Sequence, residues 1–116
     1  MNYQLKDRQG KVIYTYQPSS GQEANLINAL KQACGRNFVL TNLDLSNQEI
    51  SNVNLSGLRA PKIDLTNAKL SRVILWGAEL TNGTVTNAQL NNVNLREAKL
   101  DGLDLSTVKS SKLLIK

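Results

Sequence analysis

From residue 40 onward the hydrophobic positions of this chain keep a period of five. Leu40, Leu45, Ile50, Leu55, Ala60, Leu65, Leu70, Leu75, Leu80, Val85, Leu90, Leu95, Leu100 and Leu105 follow one another at that spacing, all of them apolar. Two places before each stands a second apolar or small residue, from Phe38 and Leu43 to Ala98 and Leu103, with Gln48 the exception. The three remaining positions of each five are overwhelmingly Asn, Ser, Thr, Asp, Lys, Arg or Gly. An amphipathic helix repeats near 3.6 residues and a half-buried strand alternates every two, so neither explains the pattern. It is an internal repeat, one small unit stacked many times.

The first 37 residues read differently. Tyr3–Lys6 and Lys11–Tyr16 alternate apolar and polar residues around Asp7-Arg8-Gln9-Gly10, which predicts a β-hairpin with a glycine-containing turn. Pro18-Ser19 ends it. Ser20 and Glu23 stand at capping-box spacing and predict a helix over about residues 21–34, closed by Gly35. Leu26, Ile27, Leu30 and Ala33 give that helix an apolar stripe suited to covering the open end of a repeat stack. The chain therefore divides into a cap, 1–37, and a repeat region, 38–116, within one compact domain.

Asn67-Ala68-Lys69-Leu70-Ser71, Gly77-Ala78-Glu79-Leu80-Thr81 and Glu97-Ala98-Lys99-Leu100-Asp101 resemble the signature of the pentapeptide-repeat family. The resemblance runs over residues 38–109 and fades over 110–116. It implies a mainly β fold, a right-handed quadrilateral parallel β-helix with twenty residues per coil. Central and minus-two side chains would point inward, and residues 38–115 would make almost four coils. Some bacterial and prophage members are similar in placing a short hairpin and helix ahead of the coils. A narrow interior filled by Leu and Ala suits a chain with only one Trp, three Tyr and one Phe.

Composition then removes several kinds of chemistry. The chain has no His, which excludes His-based acid–base catalysis, Ser-His triads and the commonest zinc sites. Cys34 is the only cysteine, so neither an internal disulfide nor a multi-cysteine metal site can form. No phosphate-cradling loop is present. No catalytic, cofactor or metal residue is expected, and an enzyme is the least favoured class. No apolar run approaches a membrane span, and no basic-then-apolar leader opens the chain, so a cytoplasmic setting without membrane contact is expected. The net charge of +5 favours polyanions without requiring them.

With twenty residues per coil, residues twenty apart share a column. Asp44, Asp64 and Asp104 form an acidic column interrupted by Thr84; its members either cap turns or share a cation. Glu49, Lys69, Arg72, Lys109 and Lys112 make a net basic face, either merely solvated or turned to nucleic acid or an acidic partner. Ile74 and Trp76 point outward near Arg96, among Asn54, Ser56 and Asn94. That is the composition of an interface hot spot, unless the cap folds back over it. The Asn residues at 42, 47, 52, 67, 82, 87 and 92 are expected to satisfy turn backbone groups. Cys34 is expected to pack on the first coil.

After Leu105 the repeat decays, with Ser110 at a central position. Leu114 is expected to point outward beside inward Leu113 and Ile115, leaving an apolar open edge. Pairing of that edge with a second copy would cover it, against repulsion from Lys109, Lys112 and Lys116. The leading functional reading is a rigid protein-binding adaptor or inhibitor, acting on a bacterial or phage-related partner through its flat faces. The resemblance also implies an alternative, mimicry of duplex DNA to inhibit topoisomerases. Nine Lys plus Arg against seven Asp plus Glu over 38–116 suit that poorly. Direct nucleic-acid binding through the basic face is a third reading, separable by its salt dependence.

Overall fold

A computed structural model describes residues 1–115. Strands β1 (Tyr3–Lys6) and β2 (Val12–Tyr16) form the antiparallel hairpin. The Asp7 carboxylate accepts the N–H groups of Gln9 and Lys11, each at 2.9 Å, and Gly10 takes the left-handed conformation that closes the turn. Helix α1 (Leu26–Gly35) begins later than the sequence predicts. Gly21 is left-handed, which keeps the chain out of a helix there. The cap is Asn25, whose side chain accepts the Asn28 N–H at 2.9 Å. Ser20 and Glu23 form no capping box; Glu23 instead accepts from the side-chain amides of Asn25 and Asn28. At the other end the left-handed residue is Asn37, not Gly35. Asn37 N–H donates to Cys34 O and Phe38 N–H to Ala33 O, satisfying two of the helix's last carbonyls.

Strands β3 (Glu49–Asn54), β4 (Lys69–Ile74), β5 (Gln89–Asn94) and β6 (Lys109–Leu114) stack in parallel, in that order, with partners twenty residues apart. Three complete turns join these four rungs, and partial turns at either end make up the expected length. The other sides are marked by the bridges Val39–Arg59–Glu79–Lys99 and Asp44–Asp64–Thr84. Each turn is held by bonds along the axis, such as Leu45 N–H to Asp64 O at 2.8 Å and Lys69 N–H to Gln48 O at 2.8 Å. The result is a four-sided solenoid.

Its corners come from one left-handed residue in five. From Asn37 to Lys112 every fifth residue has positive φ, with Thr107 the exception. A Cβ makes that conformation costly, by roughly 1–2 kcal/mol, so Asn and Gly recur there, and β-branched Thr107 avoids it. This corrects the expected role of the Asn series. The corner N–H groups, not the Asn side chains, make the next-coil bonds: Asn47 to Thr66 O, Asn67 to Thr86 O, Asn82 to Asp101 O. Arg72, at φ 54°, bends β4 so that Lys69–Ser71 lies on one side and Val73–Ile74 on the next.

The core is a stack of Leu, Ile, Val and Ala, and the buried aromatics, Tyr14 and Tyr16, belong to the cap. Phe38 is inward by count but is 41% exposed, its edge against Tyr14 at a ring distance of 5.0 Å. It follows directly on the helix end, before the coil register begins. The cap joins the first coil through Arg8 N–H to Asn42 O and Asp44 N–H to Lys6 O, while Ala29, Leu30 and Ala33 bury over the core. At the far end Ala98, Leu100, Leu103, Leu105, Val108 and Leu113 are only partly buried. Ile115 is 39% exposed instead of inward, because no further rung covers it among the described residues. Lys116 lies outside them. No helix is long and apolar enough to cross a membrane, among the described residues.

Candidate functional site

The inward positions of the coil are fixed by packing, so any distinctive chemistry must sit in the outward columns. Most of these hold Asn, Ser, Thr or mixed charges. Two places do not: Phe38 and Val39, exposed where the helix meets the first coil, and a corner further along. In the column Asn54–Ile74–Asn94–Leu114, Ile74 is 39% and Leu114 40% exposed. Two residues further along β4's side, Trp76 is 51% exposed, stacked between Ser56 and Arg96 through the bonds Gly57 N–H to Trp76 O and Gly77 N–H to Arg96 O. The cap lies over the first coil and leaves them uncovered. At the bend itself runs the exposed column Asn52–Arg72–Asn92–Lys112, where Arg72 Nε donates to Asn52 Oδ1 at 2.7 Å. Arg72, Val73, Ile74, Asn92, Asn94 and Leu114 line one shallow open groove.

The structure thereby joins residues that the sequence assigned to three separate places. By sequence Ile74, Trp76 and Arg96 form an interface, Arg72 and Lys112 belong to the basic face, and Leu114 belongs to the end of the coil. Because β4 and β6 each turn a corner, they adjoin. The rest of the basic face is diluted: Lys69 lies 3.9 Å from Glu49, and Gln89 separates it from Lys109. The charge ladder Arg59–Glu79, 3.4 Å apart with Lys99 beyond, escaped the sequence reading, although its twenty-residue spacing was visible.

The acidic column is a row of turn caps. Asp44 accepts from Ser46 N–H at 3.0 Å and its hydroxyl at 2.6 Å; Asp64 does the same with Thr66. Asn54 repeats the arrangement with Ser56, so the position needs an acceptor and not a charge. Asp104 accepts the Ser106 N–H at 2.9 Å, and that bond, then the Ser106 side chain, holds its carboxyl below the usual aspartate range. Nothing in the sequence announced Arg8. It crosses from the hairpin turn to donate to Ile63 O at 3.1 Å and Thr84 Oγ1 at 2.9 Å, setting a cation where the acidic column is interrupted. Cys34 rests against the first coil, Sγ to Ser56 O at 3.3 Å, and burial pushes its thiol pKa up, away from reactivity. No group of three metal-ligating side chains occurs among the described residues.

The family model for pentapeptide repeats matches eight copies over residues 49–87 and 78–109, just over half of the chain. The chain belongs to the pentapeptide-repeat family. A solved structure that it resembles is a pentapeptide repeat protein, Rfr23, from the cyanobacterium Cyanothece 51142, at 24% identity and a TM-score of 0.35. The match covers 69% of this chain and 62% of that one, so this pentapeptide-repeat chain spans less than two thirds of that relative's length. No curated protein matches it. The family match starts at Glu49, later than the repeat was read by spacing. The skipped stretch holds two departures from the inward pattern, Phe38 and Gln48, both exposed.

Proposed function

We propose that this pentapeptide-repeat chain is a non-enzymatic protein-binding module, a rigid adaptor or inhibitor that grips its partner at the Ile74–Trp76–Arg96 corner. One observation carries the reading. In a solenoid whose Leu, Ile and Val side chains fill the interior, an exposed Trp, Ile and Leu share one outward corner. Trp and Arg are the residue types that dominate binding energy at interfaces. The repeat supplies stiffness, so little conformational freedom is lost on binding. Mimicry of DNA fits less well, since the acidic column is used for turn caps and carries Arg8 on its gap.

The test is capture of a partner from lysate by the wild type and by Trp76→Ala. A discrete partner lost with the substitution, while the thermal melt is unchanged, supports the reading. A partner held equally by both proteins rejects this corner.

A further inference from the structure

The charges around the corner specify more than an apolar contact. This step rests on the binding reading just given. In the three columns Asn52–Arg72–Asn92–Lys112, Asn54–Ile74–Asn94–Leu114 and Ser56–Trp76–Arg96 three cations flank three exposed apolar side chains, and the nearest carboxylate along the chain, Glu97, stands at the next corner, over Gly77. Elsewhere on the coil Arg59 pairs with Glu79 and Lys69 lies beside Glu49, while Lys62, Lys99 and Lys109 stand singly among the described residues, without an exposed apolar cluster between them. Arg72, Arg96 and Lys112 have no ion-pair partner among the described residues. Arg72 is held over the corner by its bond to Asn52, so its orientation is set in advance of any ligand.

The groove also has a size. Ile74 and Leu114 stand two rungs apart with Asn94 between them, a backbone separation of roughly 9.6 Å at the usual interstrand spacing. Asn94 forms the floor between the two apolar walls, its Oδ1 accepting the Arg96 N–H at 3.0 Å and its NH2 left to meet a main chain beside Asn92, so a side chain resting over Asn94 touches apolar surface on both sides. We infer that the corner docks a protein segment carrying one apolar anchor between Asp or Glu residues. The anchor rests over Asn94 against Ile74 and Leu114, and the carboxylates reach Arg72, Arg96 and Lys112. A nucleic acid would satisfy the cations and stack on Trp76, yet it would leave Ile74 and Leu114 without a matching surface. Charge complementarity of this kind chooses partners more than it adds affinity.

The experiment selects from a displayed random library of short peptides against the wild-type protein and measures the enriched sequences by fluorescence anisotropy. The expected peptides combine Leu, Ile, Phe or Trp with flanking Asp or Glu. Their binding should weaken about tenfold or more in Ile74→Ser and in Arg72→Glu, with both variants melting like wild type. Peptides without acidic residues that still depend on Ile74 would overturn this inference and leave the binding reading standing. Peptides indifferent to both variants, an absence of enrichment, or tighter binding of labelled oligothymidine would each overturn it as well.

Discussion

At a single corner of the solenoid, the choice between Asn, Gly and any other residue is a backbone question. Asn67 has φ 61°, and its N–H donates to Thr86 O at 2.9 Å whatever the side chain does. Asn67→Ala should therefore cost about 1 kcal/mol and Asn67→Gly should be near neutral, read by denaturant unfolding. Equal losses in both would mean that the Asn side chain itself matters. The recurrence of Asn was plain in the sequence, but its reason was not, because turn capping and left-handed tolerance favour the same residue. Inward and outward positions were easier to read, since burial leaves only apolar choices. Leu70 is buried between Ile50 and Leu90, and its neighbour Lys69 is exposed. Leu70→Asp buries an unpaired charge and should cost several kcal/mol, whereas Lys69→Asp should stay within about 0.5 kcal/mol. Similar melting of the two variants would place the register one residue out.

Among the elements, the hairpin and the repeat were legible and the helix only partly. The spacing of Ser20 and Glu23 is a valid start signal, and it lost to a second one at Asn25, whose side-chain Oδ1 accepts the Asn28 N–H after left-handed Gly21 has turned the chain. Asn25→Ala should lower stability by about 1 kcal/mol while Ser20→Ala leaves it unchanged, the reverse of what the sequence alone implies. Thermal melts of the two proteins decide it. The site was legible column by column but not as a surface. Counting by twenty placed Ile74 over Asn54 and Arg72 over Asn52, but not the bend at Arg72 that makes both columns walls of one groove. Reach across elements was also invisible: Arg8 lands 55 and 76 residues downstream, on Ile63 and Thr84. No periodicity encodes such a contact.

For the molecule as a whole, the two ends are unlike. The hairpin and helix bond to and cover the first coil, whereas the outer edge of β6 has no strand beside it among the described residues. Such an edge invites pairing, and a two-fold axis would let β6 meet its own copy antiparallel, with Leu113, Leu114 and Ile115 adding apolar margin. Lys109 and Lys112 oppose this, because a two-fold brings like charges together. The balance should then depend on salt: screening weakens the repulsion and leaves the apolar gain intact. Light scattering over a dilution series is expected to show association at high micromolar concentration, stronger as salt rises, and absent in Leu114→Lys. A wild type that remains monomeric at that concentration and high salt removes the dimer. Ile74→Ser separates this edge from the groove, since Ile74 lies two rungs inside β6. That variant should lose peptide binding yet associate like wild type, whereas Leu114→Lys should lose both.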